Sequence, residues 1–459
     1  MAEFKSPRVV IAGLKGGSGK TTLSIGLISV LRQKGLSVIS FKKGPDYIDS
    51  GWLSASAKSP CYNLDPFLIG EKNVVRSFVE HSKDSDIAVI EGNRGLYDGM
   101  DVEGTFSTAR LSKTLKAPVI VIIDCTKTTR TSAALILGVK KFDPYVKIKG
   151  VILNHVAGSR HESIVRESIE RYAKLPVIGA IPRQVETAFP ERHMGLIPYQ
   201  EHSEVDNAIR EAARIVKKHV EIKKVLEIAM SAEPLKVRIS NPKPIASSHI
   251  RVGVIRDSAF QFYYPENLEV LQKKGASLIE VSALTDRRLP ELDALYIGGG
   301  FPETHAILLA GNTSFKRDLL EAIEGGLAVY AECGGLMYLG ESLILQDRSY
   351  PMAGVFPITF SLQRKPEAHG YTIAEVKRSN PFYKNGTILN GHEFHYSKVI
   401  KFGKKKDMYL AFKMKRGNGI INGMDGLCYR NVLATYTHIH ALGAPEWVEG
   451  MMVNRPSTA

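Results

Sequence analysis

The sequence contains few cysteines and no long hydrophobic run. Its four cysteines, Cys61, Cys125, Cys333 and Cys428, are too few and too scattered for a disulfide framework or a paired-cysteine metal site, which favours a reducing compartment. No apolar stretch reaches the ~20 residues of a membrane helix, and the first residues lack the pattern of a secretory signal. We therefore expect a cytoplasmic protein without a membrane partner.

Low complexity is also absent. The 459 residues include 44% hydrophobic and 24% charged residues, as in globular proteins. At about 150 residues per domain, this length allows two or three domains. Lys and Arg outnumber Asp and Glu by 61 − 47 = 14. This excess favours an acidic partner, which could be nucleic acid, anionic lipid or a polyanionic small molecule.

The first half of the chain is predicted to alternate between strands and helices. Its strands are apolar and β-branched, which is typical of a parallel sheet covered by helices on both faces. The predicted strands are 9–12, 37–41, 87–91, 118–124 and 150–154, and the predicted helical segments are 21–34 and 204–230.

The second half repeats the α/β pattern after a change in composition. The segment 231–249 is rich in Pro and Ser and predicts a linker between domains 1–230 and 250–459. Beyond Gly354 the sequence is richer in β-type residues. The predicted elements before that point are strands 251–255, 292–297 and 328–331 and a helix at 267–274.

A glycine-rich loop, VVIAGLKGGSGKTT, stands between the first strand and the first helix. Glycines allow backbone N–H groups to surround phosphate oxygens, and the helix N-terminus adds partial positive charge. Lys20 would reach the terminal phosphates of ATP, and the Thr21 hydroxyl would bind Mg²⁺. The predicted ATP-binding residues are Gly16, Gly17, Gly19, Lys20, Thr21 and Thr22.

This loop departs from the strict Walker A pattern. Leu14 stands where a glycine is expected, and Lys15 matches the deviant form KGGxGKT. That form occurs in dimeric ATPases that partition DNA or select division sites, where the lysine acts on the nucleotide of the partner subunit. The departure leaves open a homodimer and, as an alternative function, a partitioning ATPase.

Two acidic turns, FKKGPDYIDS and EGNRGLYDGMD, follow the second and third predicted strands. Ligands bind at the carboxyl ends of parallel strands, beside the phosphate loop. Carboxylates there can hold Mg²⁺ or position an acidic substrate, and Lys42, Lys43 and Arg94 add positive charge suited to a carboxylate. The candidate acids are Asp46, Asp49, Glu91, Asp98 and Asp101.

The segment AVYAECGGLMYLGESL places Cys333 between an apolar strand and a helix. This order is typical of a nucleophile elbow, in which a sharp turn exposes the thiol. We expect the helix N-terminus to lower the pKa of the thiol. A base is needed, and His438 in ATYTHIHALG is the best candidate, while the Gly298–Gly300 turn could complete an oxyanion hole.

Two further histidines, His392 and His395 in NGHEFHYS, have the spacing of metal ligands. A third ligand is not evident, so we favour a substrate-facing or interdomain role for them. The remaining cysteines are interpreted as core or surface residues.

These segments together resemble the cobyrinic acid a,c-diamide synthase family over nearly the whole chain. The N-terminal half resembles the dethiobiotin-synthetase-like ATPase fold, and the C-terminal half resembles a class I glutamine amidotransferase. The matching segments are SGKTT, KKGPDYID, EGNRGLYDG, RDSAFQFYYPENLEVL, GGGFPE, YAECGGLMYL, GHEFHYS and ATYTHIHA.

The resemblance implies a glutamine-hydrolysing carbon–nitrogen ligase. Cys333 would form a thioester with glutamine and release ammonia, with His438 activating the thiol. Mg-ATP would phosphorylate a substrate carboxylate, which ammonia would convert to an amide. Two such cycles would amidate the a and c acetate groups of a tetrapyrrole in cobalamin biosynthesis. Because free ammonia would be lost to solvent, we expect a shielded passage between the two sites.

The resemblance also implies site residues and partners. The partners would be small molecules, namely ATP, glutamine and a polycarboxylate tetrapyrrole, without nucleic acid. The implied residues are Thr21, Asp46 and Glu91 for the metal, Asp46, Tyr47, Asp49 and Asp98 for the substrate and acyl phosphate, and Gly299, Gly300 and Gly334 for the oxyanion hole.

Two questions stay open at this point. Triad amidotransferases carry a Glu two residues after the catalytic His, where this chain has His440. A Cys–His dyad fits that departure, and the third member is undetermined. The macrocycle is also undetermined, since Ni-sirohydrochlorin, a precursor of coenzyme F430, and sirohaem would undergo the same chemistry as cobyrinate.

Overall fold

A computed structural model describes residues 2–183, 191–192, 195–196, 199–201, 204–237 and 250–453. The chain divides into two compact units, Met1–Asn241 and Pro242–Ala459. Within the described residues, no helix combines the length and the apolar composition needed to cross a bilayer.

The first unit contains eleven strands and eight α-helices among its described residues. The strands are β1 Ala2–Phe4, β2 Arg8–Gly13, β3 Val38–Lys43, β4 Cys61–Leu64, β5 Ile87–Gly95, β6 Val119–Asp124, β7 Ile148–Val156, β8 Val177–Pro182, β9 Glu191–Arg192, β10 Gly195–Leu196 and β11 Leu235–Val237. The helices are α1 Lys20–Gln33, α2 Tyr47–Ala57, α3 Pro66–Ser82, α4 Thr108–Thr114, α5 Arg130–Phe142, α6 Ser159–Ser168, α7 Val205–His219 and α8 Ile222–Met230, with a π-turn at Ile169–Ala173 and a 3₁₀ turn at Tyr199–Glu201.

The main sheet of this unit has seven parallel strands in the order β4-β3-β5-β2-β6-β7-β8. Strands β2 and β3 are buried along their whole length, because helices cover both faces of a parallel sheet. The predicted parallel sheet is therefore confirmed. All seven strands end at one edge, so the segments after β2, β3 and β5 meet there.

The predicted linker differs in part from the structure. Leu235–Val237, inside the segment 231–249, forms β11 and pairs with β1 in an antiparallel ladder. The buried guanidinium of Arg8 donates hydrogen bonds to the carbonyls of Ser6 and Glu233, which ties the start of this segment to the first unit. Residues 238–249 of the predicted linker lie outside the described residues.

The second unit contains fourteen strands and five α-helices among its described residues. The strands are β12 Arg251–Ile255, β13 Ser277–Val281, β14 Ala294–Ile297, β15 Ala328–Glu332, β16 Ser342–Leu345, β17 Arg348–Pro351, β18 Ile358–Leu362, β19 Ala368–Val376, β20 Ile388–His395, β21 Ser397–Phe402, β22 Tyr409–Arg416, β23 Met424–Tyr429, β24 Val432–Thr435 and β25 His438–Ile439. The helices are α9 Pro265–Lys273, α10 Ala306–Gly311, α11 Thr313–Glu324, α12 Gly334–Leu339 and α13 Pro445–Met451, with a 3₁₀ turn at Pro302–His305.

A ten-stranded mixed sheet forms the centre of the second unit. Its order is β13-β12-β14-β15-β24-β23-β22-β19-β20-β25, and the first five strands are parallel. A separate four-stranded sheet of this unit has the order β17-β16-β18-β21. The β-rich character beyond Gly354 is confirmed. Because β15 and β24 are parallel neighbours, the residues that follow them, Cys333 and Tyr436, leave the sheet at the same edge.

Candidate active sites

The phosphate loop joins β2 to α1 at the carboxyl edge of the first sheet. Gly17 and Gly19 have φ values of 68° and 91°, in the left-handed region that favours glycine. A side chain at Gly19 would also collide with the amide of Asn154, whose Nδ2 donates to the Ser18 carbonyl at 3.0 Å. Gly16 lies in the loop itself. The backbone conformation therefore requires glycine at two of the predicted positions.

Lys20 is buried above this loop. Its Nζ donates to the carbonyl of Lys15 at 3.2 Å and to the carbonyl of Arg94 at 2.9 Å. Burial lowers the pKa of Lys20. The ammonium is thus held between the loops that follow β2 and β5, where it can reach a phosphate that the loop binds. Thr22 lies in the first turn of α1.

Lys15 pairs with a carboxylate of its own chain. Its Nζ is 3.2 Å from Oδ2 of Asp124, the last residue of β6, and 66% of the Lys15 side chain is exposed. His155 Nδ1 lies 3.1 Å from the other oxygen of Asp124. Exposed ion pairs of this kind contribute about 1 kcal/mol or less. The pair is weak enough to open, and a role of Lys15 across a dimer stays a prediction.

A buried polar network connects α1 with the ends of β3 and β5. The Thr21 hydroxyl donates to Glu91 Oε1 at 2.8 Å. Lys42 Nζ donates to the same oxygen at 2.7 Å and to Asp49 Oδ2 at 2.6 Å. Burial raises the pKa of Glu91, whereas the two carboxylates outweigh burial and raise the pKa of Lys42. The structure thus brings together Thr21, Asp49 and Glu91, which the sequence only placed near one edge.

This network can accept a magnesium ion. Glu91 Oε2 is buried and has no hydrogen-bond partner among the described residues. The Thr21 hydroxyl gives its proton to Glu91, so the lone pairs of the hydroxyl oxygen remain for a cation. Oxygen donors of this type are the ones Mg²⁺ prefers. Thr21 and Glu91 therefore fit the metal-binding role that the sequence analysis gave them.

Asp46 caps the helix that follows β3. Its Oδ1 accepts the backbone N–H of Asp49 at 2.9 Å, and Tyr47 is the first residue of that helix, α2. Burial and the charge of Asp49 raise the pKa of Asp46 to about 7. Asp46 therefore changes charge near neutral pH, which distinguishes it from Asp49, whose pKa Lys42 lowers against the effect of burial.

Asp46 predicts a pH dependence of stability. An Asp of the unfolded chain titrates near pH ~4, so between about pH 4 and 7 the native state holds an extra proton. The free energy of unfolding therefore falls as pH rises through this window. Asp46→Asn should raise the unfolding midpoint by about 2 °C or more at pH 8, with a smaller rise at pH 5. Scanning fluorimetry without nucleotide measures both midpoints.

The control for this prediction is Asp84→Asn. Asp84 lies in the same unit, and its side chain is 87% exposed. We expect this variant to leave both midpoints unchanged. An equal effect of Asp46→Asn at the two pH values would contradict the assignment of the titration to Asp46.

Asp98 lies in the turn after β5. Its Oδ2 accepts the N–H of Gly95 at 2.8 Å, and a Cβ at Gly95 would lie 2.7 Å from the Leu14 carbonyl oxygen. The N–H of Leu96 donates to the Gly13 carbonyl at 2.8 Å. The Asp98 turn is therefore packed against the phosphate loop. Asp101 instead closes an exposed turn with Thr105.

Cys333 forms a sharp turn between β15 and α12. Its φ of 47° and ψ of −96° are unusual for a residue with a side chain. Its N–H donates to the Thr435 carbonyl at 2.7 Å, and its carbonyl accepts the N–H of Met337 at 3.0 Å. These bonds fix the backbone of an elbow, so that the thiol position depends on both parallel strands β15 and β24.

The expected lowering of the Cys333 pKa is wrong. Burial and the nearby carboxylates of Glu303 and Glu332 raise the pKa of this thiol well above its ordinary value. The N–H of Gly334 donates a hydrogen bond to the thiol but does not outweigh them. The resting cysteine is therefore a neutral thiol, and a base must take its proton.

The glycine turn after β14 packs against the elbow and the base. A Cβ at Gly299 would lie 2.5 Å from Cε1 of His438, and a Cβ at Gly334 would lie 3.0 Å from the backbone nitrogen of Gly300. A side chain at Gly300 would collide with the Ala259 carbonyl. The three glycines that the sequence predicts for the oxyanion hole are thus close to Cys333 and His438.

His438 and His440 have different surroundings. The His438 ring stacks on His392 with centroids 4.9 Å apart, and its Nδ1 is 3.3 Å from Oε2 of Glu332. The His440 ring packs on Tyr264 at 4.8 Å between centroids. The packing of the glycine turn and the carboxylate at Nδ1 favour His438 over His440 as the candidate base.

His392 and His395 are both buried inside the second unit. Burial, together with the neighbouring His438, lowers the pKa of His392, so this ring is neutral. His395 stacks on Tyr436 at 3.6 Å between centroids, and its Nδ1 donates to the Ser397 carbonyl at 2.8 Å. Within the described residues no group of three His, Cys, Asp or Glu side chains is arranged to hold a metal ion.

Three residues of these sites were not predicted from the sequence. Asp124 and Asn154 lie near the carboxyl ends of β6 and β7, and their position at the binding edge was the available signal. Glu332 immediately precedes the nucleophile in the sequence, but nothing local shows that its partner is 106 residues away.

Two family models match this chain, one in each of its two units. Residues 9–197 match a family described as the CobQ/CobB/MinD/ParA nucleotide binding domain. Residues 251–446 match a family described as the CobB/CobQ-like glutamine amidotransferase domain. Among solved structures, one titled glutamine amidotransferase is similar, with 20% identity and a TM-score of 0.33, covering 44% of this chain and 99% of its own.

Two relatives match along nearly the whole chain and share a name. The chain is 41% identical over 451 residues to the cobyrinate a,c-diamide synthase of Magnetococcus marinus, covering 97% of this chain and 96% of the relative. It is 42% identical over 438 residues to that of Archaeoglobus fulgidus, covering 95% and 94%. The chain belongs to the cobyrinate a,c-diamide synthase family. This chain combines a nucleotide-binding domain with an amidotransferase domain, so it is a glutamine-hydrolysing ligase that uses ATP.

Proposed function

We propose that the protein amidates the a and c acetate carboxylates of cobyrinate, using ATP and glutamine, in cobalamin biosynthesis. One observation carries this proposal. The same chain holds a phosphate loop with a buried Lys20 and an elbow cysteine followed by Gly334, which packs on the same glycine turn as His438, and it is 41% identical along 97% of its length to a cobyrinate a,c-diamide synthase.

The second unit supplies the nitrogen in this proposal. His438 takes the thiol proton as the Cys333 sulfur attacks the glutamine amide carbon. The carbon–nitrogen bond then breaks, and the leaving ammonia takes that proton from the imidazolium. Water cleaves the thioester to glutamate and restores the thiol. Backbone N–H groups of Gly299, Gly300 and Gly334 stabilise the oxyanion.

The first unit activates the acid. Lys20 and the phosphate loop bind the triphosphate, and Asp46, Tyr47, Asp49 and Asp98 surround the carboxylate to be phosphorylated. Thr21, Asp46 and Glu91 would hold Mg²⁺, which when bound offsets the phosphate charges. Ammonia then attacks the acyl phosphate, forming the amide and releasing phosphate. The buried ammonium of Lys42, beside Glu91, adds positive charge where two anions meet.

The alternatives differ in substrate or class. Ni-sirohydrochlorin and sirohaem need the same chemistry, and the relatives named for cobyrinate favour cobyrinate over both. A partitioning ATPase would not need the amidotransferase domain that residues 251–446 match. The amidation proposal accounts for both units.

The proposal predicts glutamine-dependent amidation by the purified chain. With Mg-ATP and glutamine, cobyrinic acid should gain two amides by mass spectrometry, with one ADP released per amide. Ni-sirohydrochlorin and sirohaem are the parallel acids, and hydrolysis of glutamine is followed separately. If only another macrocycle were amidated, that macrocycle would be the substrate in place of cobyrinate. ATP turnover that needs no glutamine, with no change in any macrocycle, would contradict the proposal.

A further inference from the structure

The base of the second site is held by the residue next to the nucleophile. Glu332 is the last residue of β15 and directly precedes Cys333. Its Oε2 lies 3.3 Å from Nδ1 of His438, and its Oε1 accepts the backbone N–H of Ile439 at 3.1 Å. Both side chains are almost fully buried, at 0% exposure for Glu332 and 3% for His438. One carboxylate therefore contacts both the ring and the backbone of the β25 segment.

The carboxylate itself is fixed from the other side. The Tyr296 hydroxyl donates to Glu332 Oε2 at 3.0 Å. Asn267 donates to the Tyr296 hydroxyl at 3.3 Å and to the Ile439 carbonyl at 3.1 Å. The two oxygens of Glu332 thus receive hydrogen bonds from three groups, which hold the carboxylate in a single orientation.

His440 occupies the position at which triad amidotransferases carry the acidic residue, and it does not take over the role of that acid. His440 Nδ1 accepts the N–H of Leu442 at 3.2 Å, so its Nε2 carries the proton. That Nε2 lies 3.5 Å from Oε2 of the buried Glu266. The His440 ring is therefore in contact with Glu266 of α9. As an imidazole, it cannot supply the carboxylate that would orient His438.

We propose that Glu332 is the positioning carboxylate of the glutaminase site and completes a Cys333–His438–Glu332 triad. This inference rests on the proposed function. By accepting a hydrogen bond from Nδ1–H, Glu332 selects the tautomer whose Nε2 lone pair can take the thiol proton. It then stabilises the imidazolium until the leaving ammonia removes the proton.

The nearby charges give this role a signature in pH. Among the titratable groups, the Glu332 carboxylate lies at Nδ1 of His438, and the neutral His392 ring stacks on the His438 ring. Removing the Glu332 charge disfavours the imidazolium. The acid limb of the profile of kcat/KM for glutamine should therefore move to lower pH, whereas a loss of packing alone would lower the rate without moving that limb.

The decisive variant is Glu332→Gln, which keeps size and shape. Its amide would favour the wrong tautomer, so kcat for glutamine hydrolysis should fall by about 10²- to 10⁴-fold, with KM changed by less than about 3-fold. Amidation driven by added ammonia should stay at the wild-type rate, since it does not use His438. Glu332→Asp, which keeps the charge, should recover part of kcat.

The matched control is Glu266→Gln, which removes the other buried carboxylate beside a histidine of this segment. We expect it to change kcat for glutamine by less than about 2-fold. A Glu332→Gln protein with near wild-type kcat and an unmoved acid limb would overturn the proposal. If that variant does not fold, Glu332→Asp decides, since wild-type kcat would overturn the proposal and a reduced kcat with intact ammonia-driven activity would support it. A wild-type chain without glutaminase activity would instead refute the proposed function.

Discussion

Cys333→Ala should abolish amidation with glutamine and leave amidation with added ammonia at the wild-type rate. The thiol is the group that forms the bond to glutamine, so its loss should lower glutamine-dependent amidation by about 10³-fold or more. Ammonia bypasses this step because it attacks the activated acid directly. ADP release and mass spectrometry of the macrocycle, with each nitrogen source in turn, measure both rates.

The chain offers a matched control for this variant in Cys428→Ala. Cys428 is also buried and lies in β23 of the same unit, where its thiol donates to the Gly426 carbonyl. We expect both nitrogen sources to support wild-type rates in this variant. Equal loss of the two activities in Cys333→Ala, with the fold intact, would mean that Cys333 does not act in glutamine hydrolysis.

Lys20→Gln should have the complementary effect. The glutamine side chain lacks the charge that the buried ammonium brings to the terminal phosphates, so both glutamine- and ammonia-driven amidation should fall by about 10²- to 10³-fold. Cys333 and His438 are untouched, and glutamine hydrolysis without the macrocycle should therefore continue. Comparing glutamate release with ADP release measures the two effects separately.

Lys34→Gln is the control for that charge. Lys34 directly follows α1, the helix that begins with Lys20. Its substitution removes the same charge from the other end of this helix, and we expect unchanged amidation. If Lys20→Gln lost only the glutamine-driven reaction, the phosphate loop would not bind the ATP that activates the acid.

The fold was most predictable where strands carry their own signal. β2, β3 and β5 contain short, largely apolar and β-branched runs, and their burial inside a parallel sheet follows from that composition. β11 could not be predicted in this way. It is three residues long and exists through pairing with β1, more than 200 residues earlier in the chain, so only long-range contact defines it.

The same distinction holds for the sites: residues in local motifs were predictable, whereas residues that depend on long-range contacts were not. Lys20 and Cys333 stand in motifs whose spacing reports their chemistry directly. Glu332 was missed because its role depends on a histidine that the parallel pairing of β15 and β24 brings near. The direction of the Cys333 pKa was missed because burial, its largest cause, and the approach of Glu303 to the thiol exist only in the folded chain.

The backbone conformation of Cys333 lowers the stability of the folded enzyme. A residue with a side chain at a φ of 47° is strained, by roughly 1–3 kcal/mol for conformations of this rarity. A glycine would relax there, and would remove the only atom of the residue that can react. The protein thus retains, directly after β15, a backbone conformation that opposes folding. Selection for reactivity and selection for a stable chain act in opposite directions on this single residue.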